Sequence, residues 1–95
     1  MPRYLISRLF DELDEDEQAA VGPRSRRLIE EHYPEITWEH SHVVADETGR
    51  LRTFCVYDSP DEAMIRAHAD RLGDHSIEMI YEIGGDISPA DFPAA

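Results

Sequence analysis

Polar and apolar positions along the chain change period four times, giving the order strand, helix, strand, strand, helix, strand. Residues 3–10, Arg-Tyr-Leu-Ile-Ser-Arg-Leu-Phe, read as a first strand that is apolar on both sides. Leu5 and Leu9 form one set, and Tyr4, Ile6 and Phe10 the other. A helix is predicted from Glu15 to Tyr33, with Leu28 and Ile29 buried and Arg24, Arg26 and Arg27 facing water. Gly22-Pro23 falls in its middle. Proline there removes a backbone hydrogen bond and crowds the preceding turn, so a kink or break is expected before Pro34 ends the helix.

Ile36 to Pro60 reads as two strands joined by a tight turn at Asp46-Glu47-Thr48-Gly49. Pairing Ala45 with Arg50 across that turn sets His42 opposite Thr53, His40 opposite Cys55 and Trp38 opposite Tyr57. Alternation then gathers all six side chains on one face of the sheet. A second helix follows, with Ser59 as N-cap, Pro60 in the first turn, Glu62 closing a capping box, and Gly73 as the stop. It turns Ala63, Met64, Ile65, Ala69 and Leu72 toward a core, leaves His68 partly exposed, and leads to His75 in a loop. The last strand spans Ile77 to Ile83. Gly84-Gly85 ends it, and a loose tail of residues 88–95 follows a single domain of residues 1–87.

With short connections and right-handed crossovers, this order predicts an α+β, ferredoxin-like βαββαβ sandwich: a four-stranded antiparallel sheet with two helices on one face. The other face is expected to carry Trp38, Tyr57 and further apolar residues. Such a patch calls for a homodimer of the dimeric α/β barrel type, packed sheet against sheet.

Composition narrows the partners. The formal net charge is −12, from 21 acidic and 9 basic residues, which makes nucleic acid and anionic membranes poor partners. Every basic residue is arginine, so lysine-dependent Schiff-base and P-loop chemistry is excluded. The acidic run Asp11 to Glu17 lacks the spacing and glycine of a calcium loop and fits a solvated first helical turn. One cysteine, no apolar leader and no membrane-length apolar segment lead us to expect a cytoplasmic protein.

Two imidazoles and a thiol converging on one patch suit nickel, zinc, copper or cobalt. His40, His42 and Cys55 are the candidate ligands, with Trp38, Thr53, Tyr57 and Tyr81 lining the pocket around them. Ligands from two adjacent strands make a shallow site that needs water or a partner copy to complete it. A cofactor-free enzyme of the dimeric α/β barrel type (isomerase, cyclase or monooxygenase) is the rival. In it His40 or His42 is the general base and Tyr57 or Tyr81 orients a carbonyl. Cys55, mid-strand in apolar surroundings, is a poor nucleophile, so no catalytic residue is assigned. A plain interaction module is the third reading.

Three blocks point to a family: Trp38-x-His40-Ser41-x-Val43, then Arg52 through Pro60, then Glu62-Ala63-x-Ile65-Arg66. With Pro2-Arg3-Tyr4 and Arg8-x-Phe10, they resemble a family of small bacterial ferredoxin-like proteins filed as a domain of unknown function. One of its members is known as a nickel-binding protein. The likeness spans most of residues 2–83 and implies a dimer and a nickel-associated role, for which storage or homeostasis is the expectation, with His40 as the histidine that transfers. His42 stands where tyrosine is more usual.

Overall fold

A computed structural model describes residues 1–94, and in it the chain runs β1 (Arg3–Phe10), α1 (Glu15–His32), β2 (Thr37–Ala45), β3 (Leu51–Asp58), α2 (Glu62–Leu72) and β4 (His75–Glu82). The strands lie in the order β2-β3-β1-β4 with every neighbour antiparallel, which is the ferredoxin-like α+β arrangement. Beyond β4, Ser88 caps a single 3-10 turn, Pro89–Asp91, within the tail expected to be loose; Ala95 of that tail lies outside the described residues. No helix among the described residues is long and apolar enough to cross a membrane.

Alternation along β1 decides which set meets the helices. Tyr4, Ile6 and Phe10 are buried against them, and Leu5 and Leu9 take the open face. Ile6 joins Tyr57, Cys55 and Ile80 of the sheet with Ile29 of α1 and Ile65 of α2 in one cluster. Ile6 and Ile65 are each 0% exposed, a burial that stabilises the fold by about 1.5–3 kcal/mol per side chain. Trp38 and Tyr57 belong to this cluster too. The expectation that they cover the open face is therefore reversed: Tyr57 is 1% exposed and its ring lies 5.8 Å from that of His68 on α2.

Helix ends follow side-chain chemistry, and the two helices depart from the sequence reading in three places. Asp14 and Glu17 form a capping box at the start of α1, and the helix passes through Gly22-Pro23 unbroken. Pro23 and Ala19 are both exposed, so the carbonyl that loses its partner lies on the solvent side of the helix. Arg24 does not simply face water: its Nη2 donates to the Leu72 carbonyl at 3.1 Å and to Asp74 at 3.2 Å, tying α1 to the end of α2. The N-cap of α2 is Asp61, which accepts from the Met64 amide, rather than Ser59. Ser59 is fully buried instead, its amide donating to the Pro2 carbonyl and its hydroxyl to that of Asp61. Two further corrections concern histidine: His68 is 0% exposed, and His75 begins β4 rather than sitting in a loop.

The β2–β3 hairpin departs from the expected register twice. Ala45 pairs with Leu51, not Arg50, so the loop holds one residue more than a four-residue turn. Asp46 accepts from the Thr48 amide at 2.8 Å, and Gly49 adopts φ +76°, which glycine takes without strain. A one-residue slip sends every side chain to the opposite face. Ser41 therefore meets Cys55, while His40 meets Val56 and His42 meets Phe54. A bulge between Trp38 and His40 then restores the original alternation, so Trp38 still pairs with Tyr57.

Candidate functional site

His40 and His42 stand together on the open sheet face. Each heads a row across the strands: His40, Val56, Leu5 and Tyr81 in one, His42, Phe54, Ser7 and Met79 in the next. Both imidazoles are exposed, and their ring centroids lie 5.3 Å apart at an interplanar angle of 83°. Ion pairs border the face. Arg3 grips Glu39 through two nitrogens, at 2.7 and 3.1 Å, and reaches Asp86 at 2.8 Å. Hydrogen bonding to Arg3 holds the Glu39 carboxyl below its ordinary range. At the other end Arg52 bridges Asp46 at 2.6 Å and Glu78 at 2.8 Å, and Ser7 donates to Glu78 at 3.0 Å.

Cys55 does not share this face. It is 4% exposed on the helix side, with its Sγ 3.5 Å from Thr53 Oγ1. Two imidazoles suit nickel as donors, and their exposure lets an ion reach them. They amount to half a site: among the described residues, no three His, Cys, Asp or Glu side chains gather in a metal-holding group.

The helix side carries a cavity of about 1290 Å³ between α1 and the β2–β3 half of the sheet. Trp38, Thr53, Cys55 and Tyr57 all line it. Trp38 Nε1 donates to Ser41 Oγ at 2.8 Å, and burial pushes the Tyr57 phenol above its usual range. His40 reaches the rim of this cavity, and His42 lies outside it. Tyr81, on the far edge strand, is 66% exposed and joins neither the cavity nor the histidine pair.

Two residues escaped the sequence reading. His68 shares the buried face of α2 with Ile65, Ala69 and Leu72, a spacing that marks it as inward-facing. Its Nε2 lies 3.2 Å from Ser25 Oγ, and burial, assisted by the Arg8 charge, lowers its pKa to about 4. Arg8 occupies the place between Ile6 and Phe10 in the helix-facing set of β1 and is 1% exposed. Period two placed it inward, against the usual preference of its charge for water.

No curated protein matches the chain. A family model does match, over residues 4–83, and it takes in both strands of the hairpin, both helices and β4. The chain belongs to that family, described as nickel responsive protein SCO4226-like.

Proposed function

We propose that this protein binds a divalent transition metal, nickel foremost, through His40 and His42, as a cytoplasmic homodimer packed through the open sheet face. The observation that carries the reading is the exposed imidazole pair, 5.3 Å between ring centroids, in a chain whose family is named for its response to nickel. Imidazole favours nickel over cobalt, iron and manganese. Two donors from one chain leave the remaining coordination positions to water or to a second copy. The half-buried Leu5, Phe54 and Met79 beside the histidines supply the apolar surface such a copy would cover. A shallow, solvent-reachable site of this kind suits storage or homeostasis of the ion.

The test is calorimetric titration with nickel chloride on the wild type, His40→Ala, His42→Ala and Cys55→Ser, each checked for folding by circular dichroism. Affinity should fall about tenfold or more in each histidine variant and stay unchanged in Cys55→Ser. The nickel-loaded wild type should also lack a thiolate charge-transfer band. Wild-type affinity in folded His40→Ala would end the reading. Sedimentation velocity should give twice the 10.9 kDa of one chain for the wild type, and a single-chain mass for Phe54→Arg. A monomeric wild type at micromolar concentration would remove the dimer.

A further inference from the structure

We infer that the cavity between α1 and the β2–β3 half of the sheet is a second binding site, for a small organic acid whose carboxylate docks on Arg8 and whose apolar body fills the groove. This site lies on the helix side of the sheet, where His40 alone of the histidine pair reaches its rim, and it does not depend on the metal reading.

Arg8 is 1% exposed, and no carboxylate pairs with it among the described residues. Its Nη1 lies 3.0 Å from His75 Nε2, and its guanidinium carbon sits 5.1 Å above the centre of the Tyr57 ring. Nε and Nη2 are buried and have no partner. Those two nitrogens form one edge of the guanidinium, the side-on fork that matches the two oxygens of a carboxylate. Leaving such donors without a partner is costly, and more so when the group is charged. The nearby rings do not supply the missing anion. His68 and His75 are both held toward the neutral form by burial. Ser25 Oγ is engaged with His68, and Thr53 Oγ1 lies 3.5 Å from the Cys55 thiol.

The surroundings select the kind of anion. Phe10, Val21, Ile29, Trp38 and Leu72 line the cavity with apolar surface, and Arg8 is the one cation buried within it among the described residues. A single guanidinium in such walls matches a monoanion with a hydrocarbon or aromatic body better than a phosphate dianion, whose second charge would go unmet. Of the acids on the rim, Glu30 is paired with Arg26 at 2.8 Å and Glu39 with Arg3 at 2.7 Å, while Glu15 is exposed to solvent at the start of α1. The volume of about 1290 Å³ leaves ample room for a ring and a short chain.

The experiment compares 4-phenylbutyrate with 4-phenylbutanol, which has the same body without the charge, and with inorganic phosphate, which has charge without the body. Calorimetry on the full chain should show 1:1 binding of 4-phenylbutyrate. The alcohol should bind about tenfold or more weakly, and phosphate should give no heat. Arg8→Met should reduce the acid to the affinity of the alcohol. Ala19→Trp, an exposed position at the groove wall, should weaken acid and alcohol alike. Equal affinity for acid and alcohol in the wild type would overturn the inference. So would wild-type affinity for the acid in Arg8→Met, or absence of acid binding at millimolar concentration. If Arg8→Met fails to fold, the acid–alcohol comparison together with Ala19→Trp decides the matter.

Discussion

Acid should weaken this fold through His68 before most of its carboxylates titrate. The ring is 0% exposed on α2, flanked by Tyr33 at 5.9 Å and Tyr57 at 5.8 Å, with Nδ1 unpartnered. Burial is the largest reason its pKa falls from 6.5 to about 4 in the folded protein. Because the folded value lies below the unfolded one, the unfolded chain takes up the proton first. The contribution is therefore complete above pH 6.5 and declines as pH falls toward the folded value of about 4. Integrating between those two pKa values gives a loss of about 2 kcal/mol on going from pH 7.5 to pH 5. That range stops short of the isoelectric point near 4.6, where solubility would interfere. The assay is urea unfolding at several pH values on the wild type and on His68→Gln, which carries no titrating ring. Carboxylate effects are common to both proteins, so the difference between the two pH profiles isolates His68. Parallel profiles would refute the reasoning. So would a wild-type His68 ring-proton resonance titrating near pH 6.5 rather than near 4.

Trp38→Ala should cost about 3 kcal/mol in urea unfolding, since the indole packs on the core cluster, lies 6.1 Å from the Tyr57 ring and donates to Ser41. The oligomeric state should not change, because the indole lies on the helix side; a change in sedimentation would place it at the dimer seam. Gly73→Ala should destabilise by about 2 kcal/mol through the backbone alone, because Gly73 adopts φ +70° and ψ −172°, a region closed to residues with a Cβ. A Cβ there would meet open space, so an unchanged midpoint would mean that this turn relaxes freely.

The element order was legible because period two and helical period alternate cleanly in residues 3–83, and short connections left one economical way to assemble them. The inward set of β1 was not legible, because both of its faces are apolar, and only the packing places Tyr4, Ile6 and Phe10 against the helices. What misled was the hairpin. Nothing in Asp46 to Arg50 distinguishes a four-residue turn from the five-residue loop observed, and that single residue moves His40 and His42 away from Cys55. Trp38 and Tyr57 were paired as expected, although for a reason invisible in the sequence: the bulge undoes the slip. Their face was misjudged because an exposed sheet seemed the natural place for spare aromatics. His68 and Arg8 were missed on the same ground, since polar identity outweighed a spacing that placed both inside.

The long loop and the bulge at Glu39 act on β2 as an insertion and its suppressor act on a reading frame. Between them, from His40 to Ala45, the strand runs one step out of phase with the core, and outside them the phase is restored. Tightening the loop so that Ala45 faces Arg50, while keeping the bulge, would turn the indole of Trp38 out of the core. Straightening the bulge alone would have the same effect. The two ends of β2 are thus coupled: a change of pairing register at the loop leaves Trp38 in the core only alongside a matching change at Glu39.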